Sequence, residues 1–413
     1  MSGMTEVFPF FIVLLAGLIF SRVFRSFHVP WTVALIASGL AIGPYGLQLI
    51  TPDPTLEFLK YLGLVFLMFM AGLETRFSGF REVWKESSFI GTMTGLIPFA
   101  IGILIGHLLG YESHTIILLG IVFISSSIAI AVPVLEKENL FHSRLGKTIV
   151  SSIVLQDIAS LVLLAVVLQY LTPGMLPFPM FVTLFVLTLF IVALVRWGVP
   201  RLRKIFENKK RSMDRFERDL RITFVVLIGT VIMFEIIGLH AIVGAFLAGL
   251  ILSEIIQEKA LKEKIYVMAY GLFIPVFFVM IGVDINIEAF LAAQNIVLLV
   301  LIILLGSMLS KFASGWISGK IVGFTSLQST LVGGTCIPQL STTLAVITIG
   351  QQYNLLPEEL VTTLIILSVV TIFVSPLAVN RSAEKVRKSY FVTDPAKEND
   401  TPKETPKAPP SPL

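Results

Sequence analysis

Long apolar stretches separated by short polar segments dominate the hydrophobic pattern of this chain. Thirteen stretches have about the 17 to 25 residues that a helix needs to cross roughly 30 Å of hydrocarbon. The pattern therefore predicts an all-α polytopic membrane protein with thirteen transmembrane helices surrounded by membrane lipid. The predicted spans are residues 7–21, 31–50, 56–73, 88–109, 115–135, 148–170, 176–195, 222–239, 240–256, 267–283, 294–318, 328–349 and 359–379.

The basic residues between the spans indicate how the chain is oriented in the membrane. The odd-numbered connections and the segment after the last span hold 29 of the 31 lysines and arginines. Basic loops stay on the cytoplasmic side, which predicts an external N-terminus and a cytoplasmic C-terminus in the cell (inner) membrane. Residues 1–379 are expected to form one membrane domain, and residues 380–413 a disordered cytoplasmic tail rich in proline, lysine and glutamate.

Composition excludes several other classes of protein. Hydrophobic residues make up 55% of the chain and charged residues 14%, about half of the charged fraction of a soluble domain. A soluble fold, a disordered chain or a nucleic-acid-binding protein would lack the charge it needs. The single cysteine, Cys336, excludes an intrachain disulfide, and we expect no cofactor besides the transported ions.

Two halves of the sequence resemble each other at a fixed offset. Placing Glu74, at the end of the third span, on Asp284, at the end of the tenth, sets an offset of 210 residues. The same offset superposes Gly39 on Gly249. Six spans, one linker span and six more predict an inverted repeat, from which many secondary transporters are built. Chance similarity between apolar helices is the alternative.

Spans five and twelve contain residues that interrupt helices. Span five contains Ser125–Ser127 followed by Pro133, and span twelve contains Gly333–Pro338 followed by Ser341–Thr343. Proline removes a backbone donor, and neighbouring Gly, Ser and Thr tolerate the break. The pattern predicts two crossed broken helices whose carbonyls, hydroxyls and dipole ends form an ion site at the membrane midplane. The alternative is two kinked helices whose hydroxyls bond to their own carbonyls.

Two charged residues lie deep inside predicted spans. Asp157 is about nine residues, or roughly 14 Å, from the cytoplasmic end of the sixth span, beside Gln156. An ionised carboxylate at that depth costs several kcal/mol unless it is paired or hydrated, so such residues are functional by default. The alternative is a neutral structural acid. Lys311, in the eleventh span, is predicted to balance the charge of the site, and snorkelling to the interface is its alternative.

The sequence contains no motif that supports an enzyme. The full phosphate-binding motif Gly-x-x-x-x-Gly-Lys-Ser/Thr, an HExxH zinc pair and a Gly-x-Ser-x-Gly nucleophile elbow are all missing from it. We therefore expect a transporter whose energy comes from an ion gradient.

Several short segments between residues 7 and 379 carry a family resemblance through their order. They are Gly39–Pro44, Leu62–Glu74, Ser126–Ala131 with Glu136–Leu140, Gln156–Asp157, Gly244–Leu250, Pro275–Gly282 and Lys311. Together they resemble the monovalent cation:proton antiporter superfamily, which includes the Na⁺/H⁺ exchangers. The resemblance implies a homodimer in which a scaffold holds a moving core, formed by spans 5, 6, 11 and 12, that works like an elevator.

The Gln156–Asp157 pair departs from many relatives, which have two adjacent acids there. It resembles the potassium-efflux (Kef-like) branch, whose exchanged cation is usually K⁺. Relatives in that branch often carry a nucleotide-binding domain, whereas this chain ends about 34 residues after its last span. We therefore expect no such domain in cis, and a separate cytoplasmic regulatory subunit stays possible.

The expected activity is secondary antiport of K⁺ or Na⁺ against H⁺. Asp157 would hold a proton and a cation in turn, so that exchange is 1:1 and electroneutral. The neutral oxygens are expected from Gln156, Ser126, Ser127, Thr342 and Thr343, with Lys311 as the charge-balancing group. The alternatives are an organic-anion carrier, a channel-like conductance or a transport-inactive sensor on the same scaffold.

Overall fold

A computed structural model describes residues 2–27, 29–74, 82–171, 214–236, 240–256, 258–292 and 295–393. Throughout these ranges the regular secondary structure is helical, which confirms the all-α prediction. The α-helices are α1 (Ser2–Arg25), α2 (Trp31–Ile42), α3 (Pro54–Glu74), α4 (Trp84–Leu108), α5 (Ser113–Ile124), α6 (Ile128–Lys137), α7 (Arg144–Leu171), α8 (Asp214–Ile236), α9 (Ala241–Ile255), α10 (Lys259–Met268), α11 (Ile274–Val283), α12 (Ile287–Ala292), α13 (Ile296–Ile321), α14 (Ser326–Cys336), α15 (Ser341–Gln352) and α16 (Glu358–Thr393). A π-helix, Ala269–Phe273, joins α10 to α11.

Each predicted span that lies in the described residues contains at least one helix. Within that part of the chain, eight helical segments are long and apolar enough to cross a membrane, and α2, α5 and α9 are shorter apolar helices. The protein is therefore a multi-pass membrane protein. The seventh predicted span, residues 176–195, lies outside the described residues, so the count of thirteen stays a prediction.

Several boundaries differ from the sequence prediction, among them the end of the second span and the start of the tail. The second span was predicted to reach residue 50, but α2 ends at Ile42 and a turn follows it. The tail was predicted to be disordered from residue 380, but α16 continues to Thr393. Its extension is helical because Val379, Ala383 and Val386 bury one face in a hydrophobic cluster shared with α6, α7 and α14.

The chain divides into two compact units. Unit 1 contains residues 1–17, 39–77 and 161–284, and therefore α3 and α8 to α11. Unit 2 contains residues 18–38, 78–160 and 285–413. In unit 2, α13 packs against α4 and α14, while α16 packs against α14, α15 and α6.

Contacts inside unit 1 reproduce the predicted inverted repeat. A Cβ atom on Gly39 or on Gly249 would overlap the backbone of a neighbouring helix, so only glycine permits these approaches. The contacted residues are Val279 and Val283 for Gly39, and Phe69 and Leu73 for Gly249. Each residue of the first contact is related to one of the second by the offset of 210, so the two contacts are copies of one arrangement.

Candidate ion-binding site

The first interruption lies between α5 and α6, where Ser125–Ser127 leave the helical conformation. Ser125 has φ −56° and ψ 139°, and Ser127 has φ −111° and ψ 115°, so the backbone is extended at both. Pro133 does not cause this break, contrary to the sequence analysis, because it lies inside the continuous helix α6. The extended backbone instead leaves the last carbonyls of α5 without helical donors.

The second interruption, Ile337–Leu340, lies between α14 and α15 and contains Pro338 as predicted. Gly333 and Gly334 belong to α14 and are helical, so the glycines do not unwind the chain. Gly333 has a packing role, because a Cβ atom there would come within 2.6 Å of the Phe312 carbonyl oxygen on α13.

The two interruptions meet inside unit 2. The Ser126 hydroxyl, in the first, lies 2.9 Å from the carbonyl oxygen of Cys336, at the edge of the second. Helix α5 packs against α15, and α6 shares a hydrophobic cluster with α14. This pattern is that of two broken helices that cross where both are interrupted.

The serine and threonine triplets occupy different places at the two breaks. Ser125–Ser127 form the first interruption, whereas Ser341–Thr343 form the first turn of α15. Helices α5 and α14 end 212 residues apart, at Ile124 and Cys336. An offset of 216 residues, which places Ser125 on Ser341 in the sequence, therefore aligns residues of similar type that are not structurally equivalent.

Asp157 lies on α7 and is 2% exposed. Its Oδ1 atom accepts a hydrogen bond of 3.0 Å from the Thr342 hydroxyl in the first turn of α15. The carboxylate also faces the backbone of Ser126 and the charge of Lys311. The buried acid is therefore beside the crossing of the two interrupted helices, within unit 2.

Gln156 and Ser126 connect α7 to both interruptions. Ser126 Oγ lies 2.8 Å from Gln156 Oε1 and, as noted, close to the Cys336 carbonyl, so its single hydrogen is shared between two acceptors. Gln156 Nε2 donates to the Ser152 carbonyl at 3.3 Å, one turn back along α7. The amide is thereby fixed with its oxygen toward the crossing.

Lys311 is fully buried and does not snorkel. Its ammonium donates to the carbonyl oxygens of Ile124 (3.1 Å) and Ser125 and to the hydroxyl of Ser126 (3.0 Å). Within the described ranges no carboxylate lies at ion-pair distance from it. Its partners are thus the C-terminal carbonyls of α5, where a helix dipole is negative.

Two further predicted site residues, Ser127 and Thr343, are buried at the starts of α6 and α15. Ser127 precedes α6, and its side chain makes no capping hydrogen bond. Thr343 Oγ1 has no hydrogen-bond partner in the part of the chain that the structure describes, and neither do Ser125 Oγ and Gln339 Oε1. Buried polar atoms are normally satisfied, so these oxygens are available to an ion or to water.

Gln339, which lies in the second interruption, was not predicted as a site residue. Its Nε2 donates to Ser307 Oγ on α13 at 2.9 Å, and its backbone N–H donates to Thr371 Oγ1 on α16 at 3.3 Å. Ser307 precedes Lys311 by one helical turn on α13. One face of α13 therefore contacts both interruptions, the second through Ser307 and the first through Lys311. An uncharged amide beside Pro338 inside an apolar span was the signal that could have identified it.

The chemistry of the site favours a monovalent cation. The described residues contain no group of three or more His, Cys, Asp or Glu that could hold a metal ion. One carboxylate among hydroxyl, amide and carbonyl oxygens instead suits a hard cation of low charge.

An all-α membrane fold with two interrupted helices that cross beside a buried acid defines an ion-coupled secondary transporter. The chain belongs to the sodium/hydrogen exchanger family, whose transmembrane model matches residues 10–384. This is a family of membrane exchangers and not of enzymes.

Two curated relatives match over almost their whole length. The probable Na⁺/H⁺ antiporter 3 of Methanocaldococcus jannaschii is 32% identical over 90% of this chain and 95% of its own. The Na⁺/H⁺ antiporter of Enterococcus hirae is 29% identical over 91% of this chain and 97% of its own. The solved structure of the sodium proton antiporter MjNhaP1 from M. jannaschii has the same fold, with a TM-score of 0.68 and 17% identity over 94% of this chain and 99% of its own.

Proposed function

We propose that the protein is a secondary antiporter that exchanges Na⁺ or K⁺ for protons across the cell membrane. The observation that carries the proposal is the buried Asp157 carboxylate beside two interrupted helices in one compact unit. The similarity to proteins named as Na⁺/H⁺ antiporters supports the same activity.

Proton and cation compete for Asp157 in this mechanism. When the carboxylate is ionised, Thr342 and the neighbouring neutral oxygens complete the coordination of a partly dehydrated cation. The Thr342 hydroxyl, which donates to Asp157 Oδ1, turns so that its oxygen faces the ion. When a proton occupies Asp157 the cation leaves, because a neutral acid no longer offsets the cost of dehydration.

Lys311 supplies a fixed charge and does not take part in exchange. Its three hydrogens are all used by protein oxygens at the end of α5, so it keeps its proton while Asp157 gains and loses one. The site then has the same charge with a proton as with a monovalent cation, and exchange is electroneutral with 1:1 stoichiometry.

Spans 5, 6, 11 and 12 form the moving core in this proposal, and unit 1 belongs to the scaffold. Their site residues all fall in unit 2, which supports movement of the site as one body. The working form is a homodimer with its N-terminus outside and its C-terminus in the cytoplasm, where a separate regulatory subunit can bind.

The experiment compares the purified protein with Asp157→Asn in proteoliposomes that contain a pH-sensitive dye. A K⁺ gradient, a Na⁺ gradient and a membrane voltage are imposed one after the other. The wild type should move protons in response to a cation gradient, and Asp157→Asn should fold, insert and lose this flux. Cation-dependent proton flux that persists in Asp157→Asn contradicts the assignment.

Asp219→Asn is the matched control. Asp219 is an equally buried aspartate on α8 that is paired with Arg218, and its loss should leave exchange in place. Cation flux without proton counterflux would instead indicate a channel, and the absence of any flux in the wild type a sensor. An organic-anion carrier is disfavoured because the Lys311 ammonium has no hydrogen left for a substrate.

A further inference from the structure

The inverted repeat in unit 1 places different chemistry at its two ends. At one end, Lys60 Nζ lies 2.5 Å from Asp284 Oδ2. The offset of 210 residues relates Lys60 to Tyr270 and Glu74 to Asp284. At the other end, Tyr270 Oη donates a hydrogen bond of 3.2 Å to Glu74 Oε1. The two pairs are therefore copies of one arrangement in which an ammonium on one side is a phenol on the other.

Because tyrosine replaces lysine in the second half, the carboxylate at that end has no matching cation among the described residues. Lys60 neutralises Asp284, and also lies 3.3 Å from Glu57. Glu74 has no ion-pair partner in the ranges that the structure describes. A phenol donates one hydrogen but carries no positive charge, so the carboxylate is only partly compensated.

The helix that carries Glu74 makes its charge still less favourable. Glu74 is the last residue of the 21-residue helix α3, where the dipole is negative and the last carbonyls have no intrahelical donors. A cation placed there would interact favourably with the carboxylate and with the helix end. Lysine satisfies this requirement in the repeat-related half.

We propose that Glu74 and the Tyr270 hydroxyl bind a monovalent alkali cation. The cation occupies the position beside Glu74 that is equivalent, in the repeat, to the position of the Lys60 ammonium beside Asp284. The ligands are a carboxylate, a phenol and helix-terminal carbonyls, the oxygen ligands that hard cations prefer. The ring of Tyr266 stacks on that of Tyr270, with their centroids 4.3 Å apart. Tyr270 itself belongs to the π-helix, a feature that is frequent at functional sites. This second cation site belongs to unit 1 and does not use Asp157.

The test uses the full chain with Asp157→Asn, so that the exchange site contributes nothing. Its thermal unfolding midpoint is measured in detergent with NaCl or KCl, against N-methylglucamine chloride at the same ionic strength. The cation should raise the midpoint by about 1 to 3 °C. This rise should disappear in Asp157→Asn/Glu74→Gln. A double variant that keeps the rise, or an Asp157→Asn protein that never shows it, overturns the proposal.

Two substitutions of Tyr270 test the place of the cation in the same background. Tyr270→Lys supplies the ammonium of the other half, so it should raise the midpoint without added cation and remove the dependence on Na⁺ or K⁺. Tyr270→Phe keeps the ring and should raise the half-saturating cation concentration about three- to tenfold. Full cation dependence in Tyr270→Lys contradicts the equivalence, and these variants decide the question even where Glu74→Gln does not fold.

Glu217→Gln is the control for the loss of one exposed carboxylate from unit 1, because Glu217 already has Arg221 as a partner at 3.1 Å. It should leave the cation-dependent rise unchanged. This readout is separate from transport: if Asp157 were not the exchange site, Asp157→Asn would still transport, whereas failure of the Glu74 site changes only the stability series.

Discussion

At the scale of single residues, the site depends on how one acid and one base are partnered. Among the described side chains, Asp157 has one hydrogen-bond partner, Thr342, whereas the Lys311 ammonium donates to three oxygens. A carboxylate with few hydrogen bonds can exchange one ligand for another, whereas an ammonium whose three hydrogens are all bonded cannot. This difference supports the proposed roles, in which Asp157 exchanges its ligand and Lys311 supplies a fixed charge.

Thr342→Val keeps the shape of the side chain and removes its hydroxyl. We expect the apparent KM for the cation to rise about five- to tenfold with little change in Vmax, because one hydrogen-bonding group is worth roughly 1 kcal/mol. Proteoliposome flux at several cation concentrations measures this. Thr348→Val on the same helix removes a hydroxyl that bonds to its own turn and should leave KM unchanged. Equal effects of the two substitutions would contradict a ligand role for Thr342.

Lys311→Ala should lower stability far more than it changes ion preference. It leaves the Ile124 and Ser125 carbonyls buried without a donor, at a cost of about 1 to 3 kcal/mol for each unsatisfied group. Thermal unfolding and the ratio of Na⁺ to K⁺ exchange rates measure the two effects. Lys320→Ala, an exposed residue near the end of the same helix, is the control. A clean switch of ion preference at unchanged stability would be the contrary result.

At the scale of elements, small residues and interruptions determine how the helices meet. At Gly39 and at Gly249 the backbone of another helix occupies the space that a Cβ atom would need. At α14, Gly333 does the same for α13. Regular helices alone would not bring the carbonyls and hydroxyls of the two interruptions to one point.

Gly39→Ala and Gly249→Ala should destabilise the protein by similar amounts, about 1 to 3 kcal/mol or more each. The reason is that each new methyl group meets backbone, which cannot rotate away. Gly271→Ala is the control, because its Cβ atom would meet nothing within 4 Å. Thermal unfolding of the three variants measures the effect. Unequal losses at Gly39 and Gly249 would contradict their equivalence in the repeat.

The extension of α16 should contribute measurably to stability. Arg387 lies 3.3 Å from the carboxylate of Glu138, whose side chain is 7% exposed, so Arg387→Ala leaves a buried acid without its cation. We expect a loss of about 1 to 3 kcal/mol. Lys388→Ala breaks only an exposed pair with Glu384 and should cost much less, because water screens an exposed ion pair. Thermal unfolding distinguishes them, and equal losses would show that the pair with Glu138 is unimportant.

Sequence patterns predicted the elements well and their junctions less well. Apolar length identified the spans, and the offset of Glu74 and Asp284 identified the repeat, because both depend on residue type at fixed spacing. The position of the first break did not follow from Pro133, since a proline can be accommodated within a helix when its neighbours tolerate the lost bond. The partners of Lys311 were not predictable because backbone carbonyls have no signature in side-chain identity.

At the scale of the whole molecule, the two compact units differ in what they contain. Unit 2 holds the crossing of the interrupted helices together with the buried Asp157 and Lys311. Unit 1 holds the clearest copies of the repeat, with an ion pair at one end and a phenol–carboxylate pair at the other. Inverted halves supply two alternative states to a transporter, and the proposed cation site at Glu74 would distinguish one end of the repeat from the other.

The central claim is that one proton and one cation compete for Asp157. The most direct measurement is the initial rate of exchange in proteoliposomes as a function of cation concentration, repeated at a series of pH values with pH equal on both sides at the start. Competition predicts that on the acidic side the apparent KM for the cation rises up to tenfold for each unit of pH while Vmax stays constant. A KM that is independent of pH, with protons lowering Vmax alone, would contradict the account.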